Sequence, residues 1–205
     1  MASGDTKVTI VNQALVLLGS DTISSFSDTT NDAARVANSI YETIKGKTLS
    51  LYPWSFALVK EQLARSSSTP VNEWTYLYPL PSTAVSGTAL QVYNSSSTRV
   101  LPIQNYELVY TSSGPAIATN EENIYIDYIS SVVSEGLMPN YFVQLLVYML
   151  AWHLAEPVTD QITKAEYWRG VALGSLTENG RGGYFRQACN IDGRGKPNYA
   201  IVDFP

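Results

Sequence analysis

The side chains that most often carry chemistry in proteins are scarce in this 205-residue chain. His153 is its single histidine and lies in a run of apolar residues. A multi-histidine metal site needs further imidazoles, and a Ser-His-Asp triad would have to use this one. We expect a core or interface imidazole instead. Cys189 is the single cysteine, which excludes an intramolecular disulfide, and no activating pattern of His, Cys or Asn accompanies it.

A short glycine-lysine motif resembles the end of a phosphate-binding loop. The triplet Gly46-Lys47-Thr48 has the closing residues, but such a loop needs a glycine where this chain has Tyr41. The triplet also falls inside a predicted helix, whereas the loop joins a strand to a helix. A second pair at positions 195–196 lacks both the earlier glycine and the final Ser or Thr. Neither motif is expected to bind a nucleotide.

Adjacent carboxylates occur at Glu121 and Glu122, in a polar stretch that is typical of a solvated turn. Glycoside hydrolysis needs two carboxylates across a cleft. The sequence leaves that arrangement open but singles out no such pair. We therefore predict a protein that is not an enzyme, with no catalytic residues, no cofactor and no metal.

The charge composition narrows the classes of partner. The net charge of -5 argues against simple nucleic-acid binding, because that needs a basic face. Charged residues are 15% of the chain, below the usual roughly 25%, while tyrosine is abundant at 14 residues. Such a surface is typical of protein–protein contacts. A β-rich surface would explain the same composition equally well.

The apolar runs do not predict a membrane protein. The most apolar run, residues 141–155, is shorter than the about 20 residues that a spanning helix needs. Gln144 and His153 also interrupt it. The first residues lack the charged region that begins a signal peptide. The sequence predicts a soluble protein of a reducing compartment with no membrane partner.

Apolar residues at three- and four-residue spacing predict four helices. The first spans residues 7–18, and the second begins at Asn31 and ends before Tyr52-Pro53. The third runs from Pro139 to about Glu156, where Pro157 is expected to end it, and the fourth extends over about 159–176.

Between the second and third helices the apolar spacing changes to two residues, which predicts strands. The candidate strands are residues 54–59, 74–78, 89–93, 108–110 and 124–129. The resulting fold class is α+β: a four-helix bundle with a small antiparallel β domain inserted between helices 2 and 3, plus an extended C-terminal tail. The predicted domains are a helical bundle of residues 1–53 and 134–178, an inserted β domain of residues 54–133, and a tail of residues 179–205.

Three sets of residues are candidates for a structural role. The aromatic stretch after the second helix predicts a buried junction of bundle and sheet, formed by Tyr52, Pro53, Trp54 and Phe56. The third helix is apolar nearly all round, which suggests packing against a neighbouring subunit, through Tyr141, Phe142, Leu146, Met149 and Trp152. The tail combines glycines with arginines and aromatics, which favours ordering on a partner, and its candidate residues are Arg181, Tyr184, Phe185, Arg186, Arg194, Tyr199 and Phe204.

Several segments resemble one family closely. They are VNQALVLLGSDTISSFSD at 11–28, NDAARVANSIYETIKGKTLSLYPWSFA at 31–57, WTYLYPLP at 74–81, IYIDYIS at 124–130 and YFVQLLVYMLAWHLAEPVT at 141–159. The chain resembles the tail tubular protein A family, the head-to-tail adaptor (gatekeeper) proteins of short-tailed phages. The most specific part is the long helix that runs into Tyr52-Pro53-Trp54-Ser55-Phe56-Ala57.

This resemblance implies a structural virion protein, assembled in the host cytoplasm and placed in the portal-proximal part of the tail. Members form a homo-oligomeric, dodecameric ring between the portal protein and the tail nozzle, and often offer attachment points for tail fibres. Genomic DNA passes through the ring without specific binding, so that the ring helps DNA retention and ejection. The resemblance also implies that the C-terminal tail docks on the portal. Packing of the tail on its own bundle is the alternative.

Two other classes of function remain open. One is a virion module that binds a glycan or a receptor through the aromatic β insert. The other is an enzyme, such as a tail-associated peptidoglycan hydrolase, against which the missing catalytic constellation counts.

Overall fold

The change from helical to strand spacing separates two parts of the chain. The computed structural model describes residues 4–28, 30–70, 73–97 and 100–194. It divides into two compact units. The helical unit comprises Met1–Thr48 and Ser134–Pro205, and the β unit comprises Leu49–Val133.

Five α-helices lie within the described residues, one more than predicted. They are α1 (Lys7–Leu18), α2 (Asp32–Ser50), α3 (Asn140–Thr159), α4 (Ile162–Leu173) and α5 (Gly183–Gly193). The predicted span of α1 is confirmed, and its ends follow ordinary capping chemistry. Thr6 and Thr9 form a reciprocal capping box, and Gly19 adopts the left-handed conformation at a φ of 71°. The apolar stripe of α1 is fully buried, as its spacing predicted.

Helix α3 is the centre of the helical unit. Ten of its side chains are buried, and it packs against α1, α4 and α5. The expectation that Pro157 ends the helix is wrong, because the helix continues to Thr159. Proline lacks the N–H that would bond to the carbonyl four residues earlier, and its ring crowds that carbonyl, so it disfavours a helix without excluding it. Only two residues of the helix follow Pro157. Asp160 then ends the helix in the left-handed conformation, with its N–H donated to Glu156.

Six strands form two antiparallel sheets in the described part of the β unit. The strands are β1 (Leu58–Leu63), β2 (Tyr76–Pro79), β3 (Gln91–Tyr93), β4 (Tyr106–Thr111), β5 (Gly114–Thr119) and β6 (Ile124–Ile129). One sheet has the order β1-β6-β3 and the other has the order β2-β5-β4. Tyr78, Ile117, Ile124 and Ile126 are among the buried side chains of the main apolar cluster.

The predicted fold class, a four-helix bundle with one small β insert and an extended tail, is therefore wrong. Strand β5 was missed because it begins with Gly114-Pro115, which has the composition of a turn. Helix α5 was missed because glycines precede it at 180, 182 and 183. Those glycines mark the approach to the helix and its first residue, whereas Phe185, Ala188 and Asp192 are buried along its length.

The predicted strand at residues 54–59 also needs correction. Residues Ser55–Ala57 form a 3-10 turn, in which the N–H of Ala57 is donated to the carbonyl of Trp54 over 3.2 Å. Strand β1 consequently begins only at Leu58. Trp54 is fully buried and Phe56 is half-buried, so the two aromatics differ in burial although both were expected inside.

Replacing Trp54 with alanine should destabilise the β unit by about 3–5 kcal/mol, because it removes a large, completely buried side chain. Chemical denaturation followed by circular dichroism measures the loss. The matched control is Leu101→Ala, at a side chain that is 78% exposed. That change should cost about 0.5 kcal/mol or less. Equal stability of the two variants would contradict the burial of Trp54.

Gly183→Ala should release α5 from the helical unit. Gly183 has a φ of +54°, and a Cβ there would lie 2.6 Å from the backbone of Gly174 and of Val171. The left-handed conformation and the overlap together should cost about 2–5 kcal/mol. Gly180→Ala is the control, because Gly180 has a φ of +71° but no atom near the added Cβ. It should cost only about 1–2 kcal/mol, and hydrogen exchange in α5 distinguishes the two variants.

Candidate functional site

The residues of α3 that were expected to pack against another subunit are mostly inside a single chain. Phe142, Leu146 and Met149 are buried, at no more than 3% exposure each. They therefore offer no surface to a neighbouring copy. Tyr141 and Trp152 are half-buried. Because α1, α4 and α5 surround α3, its apolar faces are satisfied within the chain.

The tail candidates divide into three groups. Arg181, Arg186 and Arg194 are exposed. Tyr184 is half-buried and Phe185 is buried at 7% exposure, so both take part in the packing of α5. Tyr199 and Phe204 lie outside the described residues. The extended tail predicted from residue 179 is thus corrected, since residues 183–193 form a helix.

A polar contact fixes the last turn of α5 to the first turn of α3. The Tyr141 hydroxyl donates a hydrogen bond to the Asp192 carboxylate over 2.6 Å, and Asp192 is only 3% exposed. A buried carboxylate needs such a donor to offset its lost hydration. The pairing therefore explains why α5 can bury an acidic residue.

An aromatic cluster joins α3, α4 and α5. Tyr148 stacks on Trp168 with ring centroids 5.7 Å apart and meets Tyr184 edge-on at 5.3 Å. Tyr167 lies edge-on to Trp168 and is 63% exposed. Tyr, Trp and Arg are the residues most enriched at protein interfaces. This cluster was not predicted, although the aromatic residues of the fourth predicted helix were a signal for it in the sequence.

A groove of about 650 Å³ runs along the surface between α1 and α3. Its lining extends from Asp5, just before α1, to Leu17 near the end of that helix, and includes Gln144 and Val147 of α3. Val16 is 62% exposed and Leu17 is 37% exposed, which is unusual for neighbouring aliphatic residues on a packed helix. The sequence signal was the run Leu15-Val16-Leu17-Leu18, which extends apolar character beyond the buried stripe of α1. We refer to this feature as the α1–α3 groove.

The junction residues lie in the β unit. The rings of Tyr52 and Trp54 meet edge-on at 5.1 Å, and those of Trp54 and Phe56 are 6.3 Å apart. A small cavity of about 130 Å³ is lined by Tyr52 and Pro53, together with Val85, Leu90 and Ile129. The stretch is thus an aromatic packing element at the start of the β unit.

A charged cluster in the helical unit links α2 to the segment that precedes α3. Lys45 is buried, and its ammonium donates to the Glu135 carboxylate over 2.8 Å, while the Tyr41 hydroxyl lies 3.4 Å from the same oxygen. Burial alone raises the pKa of Glu135, but the hydrogen bond and the charge of Lys45 outweigh it, so the net pKa lies below the ordinary value. Burial and the neighbouring carboxylates raise the pKa of Tyr41.

The histidine, the glycine-lysine triplet and the cysteine of the sequence analysis all lie on helices. His153 is half-buried on α3 and stacks on Trp152. Burial, followed by the charge of Lys47, lowers the pKa of His153. The triplet Gly46-Lys47-Thr48 lies inside α2, and the Thr48 hydroxyl donates to the Ile44 carbonyl over 2.7 Å. Cys189 is half-buried on α5.

Within residues 4–28, 30–70, 73–97 and 100–194, no three His, Cys, Asp or Glu side chains are grouped so as to hold a metal ion. Over the same ranges, no helix has the length and apolarity to cross a bilayer.

No protein-family model matches the chain, and no curated protein matches it significantly.

The Lys45–Glu135 pair makes the helical unit sensitive to acid. A carboxyl whose pKa is lowered by folding stabilises the folded state above its unfolded pKa, and that stability is lost as the pH falls through the folded value. Stability should therefore decline below a pH of about 4.5, the ordinary value for Glu135. Glu135→Gln should lower the free energy of unfolding by about 3 kcal/mol at pH 7, because Lys45 is then buried without a counter-charge. The same variant should show a weaker decline of stability with falling pH.

The exposed pair of Lys7 and Glu42 provides the control, since its side chains are 46% and 62% exposed. Glu42→Gln should change stability by about 1 kcal/mol or less. Thermal unfolding from pH 7 to pH 3.5 measures both variants. Identical pH profiles for the wild type and Glu135→Gln would contradict the assignment.

Proposed function

We propose that this chain is a structural virion protein, a head-to-tail adaptor that forms a homo-oligomeric ring between the portal and the tail nozzle. The ring lines the channel through which genomic DNA passes and helps DNA retention and ejection. The family resemblance in residues 11–159 motivates the proposal, and no catalytic or cofactor role is part of it. A dodecamer and attachment of tail fibres belong to the same proposal.

The observation that carries the proposal is the outer surface of α4 and α5. There Arg181, just before α5, and Arg186, on α5, are exposed, and Tyr167 on α4 is 63% exposed. The chain as a whole has a net charge of -5, so two exposed arginines within residues 181–186 are a local exception. Such a surface fits a protein partner with carboxylates, because arginine pairs with them in bidentate geometry. The portal is the partner that the adaptor function requires.

The acidic composition supports the remaining part of the proposal. A protein that only guides DNA must not bind it tightly, and tight non-specific binding depends on lysines and arginines that neutralise phosphates. With 13 basic and 18 acidic residues, the chain is unsuited to that role. A ring of such subunits would let the genome slide.

Glycan or receptor binding by the β unit is the second candidate. A glycan platform would expose several aromatic rings on one face. Among the aromatic residues that the structure describes in the β unit, however, only Tyr110 is largely exposed, with 74% of its surface accessible to solvent. Trp54 is buried and Trp74 is half-buried, with its indole N–H donated to Glu107 over 2.9 Å. This distribution favours the adaptor over the binding module.

Reversal of the exposed arginines tests the adaptor proposal. The full chain carrying Arg181→Glu and Arg186→Glu should lose at least about tenfold in affinity for the purified portal, since like charges across an interface repel strongly. Arg35→Glu is the matched control, because Arg35 is an exposed arginine on α2 that pairs locally with Asp32. It should bind like the wild type.

Particle images provide the independent readout. They should contain a closed ring of this chain at the portal–tail junction, with the same contact repeated between successive subunits. The proposal fails if the images show single copies, or if the wild type does not bind the portal. A glycan array that gives specific binding would replace the adaptor with the second candidate.

A further inference from the structure

Each sheet of the β unit has two edge strands, and three of these four edges are bonded or charged. On the outer edge of β2, the carbonyl of Leu77 accepts the N–H of Ser66 over 2.7 Å. On the outer edge of β3, the carbonyl of Val92 accepts the N–H of Ile103 over 2.8 Å. Strand β1 carries Lys60, whose side chain is 65% exposed. A lysine on an edge strand is a common protection against pairing with another chain.

The outer edge of β4 differs from these three edges. Among the described residues β4 pairs with β5 alone, so one side of the strand has no neighbouring strand. Its sequence YELVYT contains no lysine, arginine or proline. Its single charged residue, Glu107, accepts a hydrogen bond from the indole N–H of Trp74 over 2.9 Å. An edge without such protection is a place where another strand can pair.

The register of β4 on β5 shows which backbone groups face the open edge. Residue pairs of an antiparallel ladder alternate between hydrogen-bonded and non-hydrogen-bonded pairs. Tyr110 lies opposite Pro115, whose carbonyl accepts the N–H of Leu80 on the other side of β5. Tyr110 and Leu108 are therefore the non-bonded positions, and their N–H and C=O groups point away from β5. Val109, between them, bonds to β5 instead.

We propose that β4 of a second copy of this chain pairs with β4 along this edge, antiparallel and with a two-fold axis at Val109. In this register Leu108 lies opposite Tyr110 of the other copy, and such a pair exchanges both of its backbone hydrogen bonds. Every outward N–H and C=O group of these two residues then has a partner. The two three-stranded sheets become one continuous sheet. The proposal concerns the free chain and does not depend on the adaptor function.

The sequence of β4 is suited to pairing with itself. Like charges that lie directly opposite each other destabilise a sheet, but Glu107 falls opposite Thr111 of the other copy. Leu108 and Tyr110 form cross-strand pairs on one face, and the two copies of Val109 meet on the other face at the axis. Tyr110, which is 74% exposed in the single chain, gains a neighbour by this pairing. A second copy supplies the matching edge by symmetry.

Symmetry separates this contact from the ring of the proposed function. A two-fold contact uses the same surface in both copies and closes with two copies, whereas a ring repeats a contact between two different surfaces. The β4 contact is also small, because it involves one strand of six residues from each copy. Small interfaces are typical of weak association. We therefore expect a dimer that forms as the protein concentration rises.

Amide hydrogen exchange of the unmodified chain tests the proposal. NMR follows the N–H groups of Leu108 and Tyr110, which should exchange several-fold more slowly in a concentrated than in a dilute sample, because pairing shields them. Gln62 on β1 is the internal control. The N–H of Ser130 donates to the carbonyl of Ala57 in the β1–β6 ladder, so by alternation the N–H of Gln62 also points to an open edge. Its exchange should not depend on concentration.

Three outcomes of this measurement overturn the proposal. Fast exchange of Leu108 and Tyr110 in both samples would show that no strand pairs with β4. Equally slow exchange in both samples would mean that the edge is covered within a single chain. Slower exchange of Gln62 alone in the concentrated sample would assign the contact to β1.

Proline substitution tests the contact by sedimentation velocity. Tyr110→Pro removes an outward N–H and spares the bonds of Val109 to β5, so the variant should stay monomeric at concentrations where the wild type dimerises. Gln62→Pro is the matched control, because it removes an outward N–H from β1, and it should dimerise like the wild type. Dimerisation of Tyr110→Pro at the wild-type concentration contradicts the proposal. If circular dichroism shows that Tyr110→Pro is unfolded, Tyr110→Lys replaces it, since an edge lysine also opposes strand pairing.

Discussion

Burial of α3 is the constraint on which the helical unit depends. Leu145, Leu146 and Leu150 are completely buried within the chain. A helix that is apolar on nearly every side cannot remain at a surface, so other elements must cover each of its faces. Helices α1, α4 and α5 supply that cover. The requirement explains why the chain adds a fifth helix after residue 180, where its composition suggests irregular structure.

The docking of α5 shows how closely packed helices cover α3. The approach of α4 to α5 leaves no room for a Cβ at Gly183, which would meet the backbone of Gly174 and Val171. Glycines there permit a tight connection, and Phe185 and Ala188 then bury against the unit. Lys164 of α4 adds a further tie, because its ammonium donates to the Leu18 carbonyl at the end of α1 over 2.7 Å. That contact also places a positive charge at the C-terminal end of α1, where it is favourable.

An ion pair within the helical unit joins α2 to the segment that precedes α3. Glu135 follows directly on residues Leu49–Val133 and binds Lys45 on α2. Bringing distant parts of a chain together costs entropy that grows slowly with the length between them. The buried pair contributes to offsetting that cost only while Glu135 is ionised. The Lys45–Glu135 contact therefore joins α2 to the segment before α3 and also makes the stability of the helical unit depend on pH.

The placement of the candidate surfaces depended on the tertiary structure. Arg181 and Arg186 were visible in the sequence as a basic, glycine-flanked segment, but the packed helix that carries Arg186 and begins two residues after Arg181 was not. The aromatic cluster brings together Tyr148, Trp168 and Tyr184 from three helices. Sequence patterns that act over a few residues do not predict contacts between residues so far apart in the chain. The α1–α3 groove likewise exists only because α1 and α3 pack side by side.

Local periodicity by itself determined the long elements of this protein. The span of α1, the end of α2 before Pro53 and strand β6 follow from apolar spacing and from proline, because those signals act within a few residues. Strand β5 and helix α5 were decided by the tertiary structure, since glycine and proline at their starts favour irregular conformations until neighbouring elements bury the residues that follow. The burial of Phe142, Leu146 and Met149 within one chain was decided in the same way, because apolar side chains show that cover is needed but do not show what provides it.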